Sequence, residues 1–345
     1  MKELYTIDLQ LFANANVQTT LMGTPNAEPH KWGGTGLSAE NKTFYDMTLI
    51  DEAGPELVHD QFAQKRPIPA NGGKKIEFRK FNPLEKALTP LTEGVTPDGK
   101  SLNVKSIEAE VAQYGDYITQ SDVLELTSID NTIVEATKLL GKQAGLTLDT
   151  ITRNVLQAGT QVYWCPKVAA DGSTTAVGSR TELDDTCRLT VDVIKRVAAI
   201  LKANNTPKID GSYVCIIHPY VAYDLMSDPE WIDAHKYTTS ENIYNGEIGK
   251  IGGVRFVESS EAKVYEGGVF GCLMLGANAY GVTEITGGGL QTIIKQKGSA
   301  GTADPLDQRS SIGWKAIKTA EILVDNYMCR IECKSAFSGD IKAEN

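Results

Sequence analysis

The sequence predicts an α+β fold, and three patterns carry that prediction. Residues 74–81 alternate apolar and polar side chains, which is the period of a β-strand with one buried face. Residues 129–158 repeat apolar side chains at three- and four-residue steps, as in a long amphipathic helix. Residues 186–290 mix short helical patterns with apolar runs that are typical of buried strands.

Residues 1–60 read as an N-terminal arm. Residues 14–36 are rich in Asn, Gly, Pro and Thr and show no periodicity, so they cannot bury much apolar surface by themselves. Trp32 lies in this stretch and has no local core to join. Buried aromatic side chains often anchor interfaces, which makes Trp32 a candidate contact with another chain.

Residues 61–112 predict an extended β-hairpin with a wide loop. Residues 74–81 place Ile76 and Phe78 on one face, and a phase change near Ser106 in the return strand predicts a β-bulge. An isolated two-stranded ribbon is marginally stable, so the hairpin should rest on its own body or on a partner. Six basic residues line its ascending side and form either a solvated face or a contact with an acidic neighbour: Lys65, Arg66, Lys74, Lys75, Arg79 and Lys80.

The long helix is predicted at residues 129–158, inside a domain at residues 113–185. Asp130 is the expected N-cap, and Gly159 is a suitable stop. A helix of this length would span about 45 Å at 1.5 Å per residue. A helix that long with a single apolar stripe is suited to lie across a sheet as a spine.

Residues 186–290 predict a compact α/β unit. A helix is expected from Thr190 to Asn204, a buried strand at residues 212–218, and a further helix opened by Pro219. Residues 291–345 should return as strands to the domain that holds the long helix. A glycine run at the end of the α/β unit is a candidate hinge: Gly287, Gly288 and Gly289.

Composition and motifs argue against several functional classes. The formal net charge of −10 over 345 residues disfavours dedicated nucleic-acid binding. No run reaches the eighteen apolar residues typical of a membrane span, and the N-terminus does not resemble a secretory signal. The sequence contains no P-loop, HExxH or GxSxG motif. We therefore predict no catalytic residues, no metal site and no cofactor.

His218 and the six cysteines could in principle be reactive, but the sequence predicts that they serve the fold. His218, which precedes Pro219, is expected to act as a cap or packing residue rather than as a general base. The six cysteines form no CxxC pair and are predicted to be free thiols: Cys165, Cys187, Cys215, Cys272, Cys329 and Cys333.

Three parts of the sequence resemble one protein family. Residues 304–315 read DPLDQRSSIGWK and precede a strand pair that ends in an RIE step. Residues 218–225, 242–249 and 252–259 follow the patterns HPxxxxDL, NIYxGEIG and GGVRFVES. Leu9–Ala13 reads LQLFA, which is similar to the start of many phage capsid and scaffold proteins. Together these segments resemble the major capsid proteins of tailed double-stranded DNA phages.

The resemblance implies the tailed-phage major capsid fold and a domain for each predicted segment. Residues 1–60 would be the N-terminal arm and residues 61–112 the extended loop. Residues 113–185 and 291–345 would form the peripheral domain, and residues 186–290 the axial domain. The resemblance also implies a structural, non-enzymatic subunit.

The same resemblance implies partners and a location. Copies of the chain would assemble as hexamers and pentamers of an icosahedral head, with a scaffolding protein and a portal. Packaged DNA would be contacted weakly and non-specifically, and no membrane would be involved. The chain would be found in the virion capsid, and in the host cytoplasm during assembly. LQLFA also predicts proteolytic processing near Phe12 and Ala13.

Two alternatives remain at this point. One is the shell of an encapsulin-like protein compartment, against which LQLFA and the 304–315 block argue. The other is a soluble α/β enzyme whose site the motifs do not reveal.

Overall fold

The structure is a computed structural model that describes most of the chain beyond the predicted arm. It describes residues 17–18, 58–69, 71–81, 84, 86–91, 93–96, 99–128, 132–169, 171–235, 249–286, 288–299, 304–339 and 345. Within these residues, helices and strands occur together, and the predicted α+β class is confirmed.

Five helices and seventeen strands are assigned in the described residues. The helices are α1 (Asp122–Thr127), α2 (Thr132–Gln157), α3 (Val191–Ala203), α4 (Pro219–Met226) and α5 (Pro229–His235). The first strands are β1 (Val17–Gln18), β2 (Gln64–Lys65), β3 (Lys75–Phe81), β4 (Val104–Glu110), β5 (Ala112–Ser121), β6 (Val162–Trp164), β7 (Lys167–Val168) and β8 (Thr174–Thr175). The remaining strands are β9 (Tyr213–Ile217), β10 (Lys250–Ile251), β11 (Val254–Glu258), β12 (Val264–Tyr265), β13 (Val269–Leu275), β14 (Tyr280–Glu284), β15 (Gln291–Lys295), β16 (Arg309–Ile322) and β17 (Met328–Cys333).

The chain divides into two compact units, each built from separated segments. The first unit comprises residues 1–55, 113–147 and 288–317, and the second comprises residues 56–112, 148–287 and 318–345. Both α2 and β16 run from one unit into the other along the chain.

In the first unit, β5 and β15 pair with the leading part of β16. The register of β15 places Ile293 opposite Gly313 of β16. A Cβ on Gly313 would lie 2.7 Å from the Cβ of Tyr117, so only glycine allows β5 to approach this closely. The neighbouring Trp314 is buried, and its Nε1 donates to Oε1 of Gln143 on α2 at 3.2 Å. The Gly-Trp step of the 304–315 block therefore seats β16 between a strand and the helix.

Two residues of the predicted arm take part in this sheet. Val17 and Gln18 form β1, which pairs in parallel with Thr119 and Gln120 of β5. The rest of the arm before residue 58 lies outside the described residues.

The second unit contains a seven-stranded mixed sheet, in the order β10-β11-β9-β13-β17-β6 with β12 beside β13. Every residue of β9 and β13 is buried, which explains their unbroken apolar sequences. Helix α3 begins after its N-cap Thr190 and buries one apolar face against this sheet, and Pro219 opens α4. The predicted order of helix, buried strand and Pro-initiated helix is confirmed.

The predicted hairpin is present as β3 and β4, and it rests on its own body. Phe78 is buried, and a Cβ on Gly281 of β14 would lie 3.0 Å from the Cζ of its ring. The predicted bulge near Ser106 is wrong, because pairing runs without interruption through Arg79↔Ser106. The apolar residues that produced the apparent phase change, Leu102 and Val104, are simply exposed.

The long helix is observed as the 26-residue α2. Its buried positions include Ala136, Leu140, Ala144 and Leu148, which form the predicted stripe. The expected N-cap, Asp130, lies outside the described residues. Gly159 follows the last helical turn, as predicted.

Candidate functional site

The structure places the predicted contact and hinge residues in different settings. Phe12, Ala13, Trp32 and Gly287 lie outside the described residues. Gly288 and Gly289 are half-buried, and the Gly288 carbonyl accepts a hydrogen bond from the Ile317 amide at 2.8 Å. Their hinge role stays a prediction.

The six basic residues of the hairpin do not form one basic face. Lys75, Glu77 and Arg79 project from the same side of β3. On β4, Glu110 lies across from Lys75 and Glu108 lies across from Glu77. Lys75 Nζ is 3.7 Å from Glu108 Oε2, and Arg79 Nη2 donates to Glu77 Oε2 at 3.0 Å. Hydrogen bonds from Arg79 and Ser106 hold the pKa of Glu77 below its usual value. This face is therefore of mixed charge.

The other basic residues lie at the base of the hairpin. Lys65 is exposed on β2, and the exposed Lys74 accepts a hydrogen bond from Val111 through its carbonyl. Arg66 and Lys80 line a cavity of about 200 Å³ together with Arg79. The sequence identified these cations but could not show that Arg66 and Lys80 line one cavity, because that depends on how the hairpin packs.

A buried carboxylate that the sequence did not reveal joins three segments of the second unit. Glu332 is 1% exposed and accepts from Arg180 Nε at 2.9 Å and from Trp164 Nε1 at 3.1 Å. The Nε of Arg330 lies 2.9 Å from Glu332 Oε1, close enough for an ion pair but without hydrogen-bond geometry. Arg180 also lies 3.5 Å above the ring of Tyr265. This cluster attaches the glycine-rich loop that holds Arg180 to β17.

A second buried polar network connects the start of the hairpin segment to α2 and β16. The amide and Nδ1 of His59 contact the two carboxylate oxygens of Asp149 at 2.8 and 2.6 Å. Thr152 donates to Asp60 at 2.6 Å, and Lys318 Nζ bonds to Asp60 and, at 2.9 Å, to the Leu148 carbonyl. Burial and the nearby Asp60 carboxylate raise the pKa of the Tyr280 hydroxyl, which donates to the His59 carbonyl. These bonds join residues 59 and 60 to α2, β14 and β16.

The reactive side chains have the structural settings that the sequence predicted. All six cysteines are free and buried, and burial raises the pKa of the Cys215 thiol well above its usual value. Buried neutral thiols are poor nucleophiles.

Within the described residues, no group of three or more His, Cys, Asp or Glu side chains is arranged to hold a metal ion. None of the helices described there has the length and hydropathy of a membrane span.

His218 is the cap that the sequence predicted. Its Nδ1 accepts from the Tyr220 amide at 3.1 Å at the start of α4, and its ring packs 4.9 Å from that of Phe270. Burial lowers the pKa of His218 to about 4. The neutral imidazole is the form that can accept the capping hydrogen bond.

We expect the chain to lose stability as the pH falls from about 6.5 to 4, in part through His218. In this window the unfolded state binds a proton at His218 that the folded state does not, so stability decreases with falling pH. Allowing for the partial exposure of the ring, the effect should be roughly 1–2 kcal/mol. His218→Asn keeps a capping oxygen without titrating. Urea unfolding of both chains at several pH values should give a flatter profile for the variant, and identical profiles would contradict the expectation.

Comparisons with known proteins identify the fold. Residues 129–293 match the phage capsid protein family. The capsid structure of cyanophage P-SCSP1u is similar with a TM-score of 0.66 and 13% identity, over 88% of this chain and 96% of that one. A structure from Mycobacterium phage Che8 has a TM-score of 0.59 and 11% identity, over 84% and 96%. The mature capsid of bacteriophage PhiM1 has a TM-score of 0.59 and 13% identity, over 87% and 94%. No curated protein sequence matches the chain significantly.

The fold is that of the tailed-phage major capsid proteins, as the resemblance predicted. The match of residues 129–293 to the phage capsid protein family agrees with this fold. The 304–315 block lies outside the matched residues, so the specific resemblance of that segment stays a prediction.

Proposed function

We propose that the chain is a major capsid protein that assembles with itself into an icosahedral head around double-stranded DNA. The observation that carries the proposal is the capsid fold, shared over 84–88% of the chain with the three structures named above. The central match to the capsid family supports the same role. In this role the chain acts through its contacts and not through catalysis.

The wide loop of the hairpin is one surface that would make these contacts. Its apolar side chains are between 59% and 82% exposed: Leu84, Leu88, Leu91, Val95 and Leu102. Soluble chains rarely leave such a group of leucines in water unless another surface covers them. We infer that the loop lies over an adjacent subunit and that the arm, with Trp32, makes a second contact.

Symmetric closure explains how modest contacts suffice. Each contact is repeated in every copy of a closed shell, so small free energies per contact add up over the whole particle. Hexamers and pentamers differ in curvature, and residues 287–289 would absorb the difference.

The proposed partners beyond the chain itself are a scaffolding protein, a portal and packaged DNA. The net charge of −10 favours a wall that encloses DNA with weak, non-specific contacts. Assembly would take place in the host cytoplasm, and the product is the virion capsid.

Deletion of residues 14–36 should abolish closed shells while the remaining chain stays folded. The deleted residues include Trp32 and the two-residue strand β1, which stands at the end of the strand order of its sheet. Negative-stain microscopy with analytical ultracentrifugation should show closed shells or large ring-like oligomers for the full chain and small species for the deletion. Circular dichroism and a thermal melt check that the deletion is folded. Normal particles from the deletion would exclude this role for the arm.

An encapsulin-like compartment is the alternative shell, and the contents of particles purified from phage-producing cells distinguish the two. DNA of phage length inside the particles supports the capsid head. Protein cargo without DNA would overturn it. No contact in the described residues favours the soluble-enzyme alternative.

A further inference from the structure

The base of the hairpin contains a cavity of about 200 Å³. The residues that line it include the apolar Phe78, Ile107 and Leu323 and the cationic Arg66 and Lys80. Gly281 lets the Phe78 ring lie against β14, because a Cβ at that position would be 3.0 Å from the Cζ of the ring. A cavity of this size accommodates one or two side chains.

Arg66 and Lys80 are both held in place by neutral groups. The ammonium of Lys80 lies 5.8 Å from the centre of the Tyr327 ring. When the side-chain amide of Gln64 is oriented with its oxygen toward Arg66, that oxygen accepts hydrogen bonds from Arg66 Nη2 at 2.9 Å and from Arg66 Nε at 3.2 Å. Within the described residues, neither cation has an acidic group within ion-pair distance, whereas Arg79 is paired with Glu77. Lys80 is also half-buried, which strengthens its attraction for an anion.

The neutral partners therefore orient two charges without compensating them. A chain with 44 acidic and 34 basic residues has many carboxylates that could supply the missing charge. In an assembly of identical subunits, the surface that covers the hairpin belongs to another copy of the chain, and that copy carries the same excess of carboxylates.

We propose that this cavity binds a carboxylate side chain of a second copy of the chain. The inference deepens the proposed function and rests on it, because it assigns one specific contact between subunits. Arg66 and Lys80 bind the carboxylate, and Phe78 with Leu323 contacts the apolar stem of the Asp or Glu side chain. The shape of the site favours this ligand over a DNA phosphate. Phosphate backbones are bound by rows of cations, whereas the adjoining hairpin face carries Glu77, Glu108 and Glu110.

A zero-length cross-link tests the contact directly. A carbodiimide joins a lysine amine to a carboxylate with which it is in contact, without a spacer. Particles assembled from a mixture of ¹⁴N- and ¹⁵N-labelled chains should yield, by mass spectrometry, a mixed-isotope amide between Lys80 and an Asp or Glu. The same treatment of unassembled chain should not yield it. The pairs Lys75–Glu108 and Lys138–Glu135 should give same-isotope links in both samples and serve as internal controls.

Charge reversal provides an independent measurement. Arg66→Glu with Lys80→Glu should lower the yield of closed particles at least tenfold. Lys105→Glu is the matched control, because Lys105 lies opposite Lys80 on the hairpin but does not line the cavity, and its yield should be unchanged.

Each remaining outcome counts against the proposal. Normal particles from the double variant, or particles in which Lys80 forms no link between copies, would overturn it while leaving the capsid role intact. Protection of Lys80 from acetylation only in DNA-filled particles, without a cross-link, would assign the cavity to DNA phosphate. A wild-type chain that forms no particles under any condition would remove the proposed function and this inference with it.

Discussion

Replacing Glu332 with alanine should lower the free energy of unfolding of the chain by about 3–5 kcal/mol. The carboxylate is 1% exposed and lies between the guanidinium groups of Arg180 and Arg330. Removing it leaves Arg330, which is mostly buried, without its ion-pair partner, and it leaves the Trp164 Nε1–H without its acceptor. The loss of a buried ion-pair partner is far more damaging than the loss of an exposed one, because the remaining charge cannot be hydrated.

Urea unfolding of the full chain measures this effect, and a matched control makes it specific. Asp192→Ala removes an acid from an ion pair with Arg196 in which both side chains are 53% exposed. It should cost less than about 0.5 kcal/mol, because water compensates exposed charges. Glu332→Gln, which preserves the shape and one acceptor, should fall between the two. If Glu332→Ala were no more destabilising than Asp192→Ala, the cluster would not stabilise the fold.

The Glu332 cluster also anchors the glycine- and serine-rich segment that precedes Arg180. Arg180 follows the glycine- and serine-rich stretch after β8, and it reaches a carboxylate 152 residues further along the chain. The stacking of its guanidinium on Tyr265 fixes the plane of the group. Glu332→Ala should therefore increase proteolytic cleavage of this loop before it affects the rest of the second unit.

The parts of the fold that were predicted correctly are those with a strong local signal. Helix α3 and strand β9 follow from residues that are adjacent in sequence, and Pro219 marks the start of α4 through its own backbone chemistry. The hairpin was recognisable because its first strand alternates regularly. The error at Ser106 shows the limit of that signal. Alternation was interpreted as burial, but Leu102 and Val104 are apolar residues that remain exposed.

The parts that were missed depend on pairs that are distant in sequence. Nothing in the neighbourhood of His59 indicates Asp149, which is 90 residues away. Likewise, the charge of the hairpin face follows from the register that places Glu110 opposite Lys75. A single sequence shows that the six basic residues are present. Only the packed chain shows that Lys75 and Arg79 pair with glutamates of the hairpin and that Arg66 and Lys80 line a cavity.

Replacing Lys318 with methionine should destabilise the chain by about 3 kcal/mol, because it leaves Asp60 without a cation in a mostly buried site. Lys318 is 8% exposed at its side chain and Asp60 19%, and Thr152 would be the remaining hydrogen-bond donor to the carboxylate. The Leu148 carbonyl, to which Lys318 also donates, would lose that bond. A methionine has nearly the same length as the lysine stem, so the lost packing is small and the change mainly reports the charge.

The double variant Asp60→Leu with Lys318→Met separates two causes of the lost stability: the unpaired Asp60 carboxylate and the lost packing of the Lys318 side chain. If the unpaired carboxylate causes the loss, removing it as well should recover a large part of the stability, since apolar replacements of a buried pair are often tolerated. Lys195→Met is the exposed control. Its pair with Glu230 has both side chains more than half exposed, so the loss should stay below about 1 kcal/mol. A double variant as unstable as Lys318→Met alone would instead place the effect in the bond to Leu148 or in packing. That result would mean that Lys318 stabilises α2 through its bond to the Leu148 carbonyl, or through packing, and not through its pairing with Asp60.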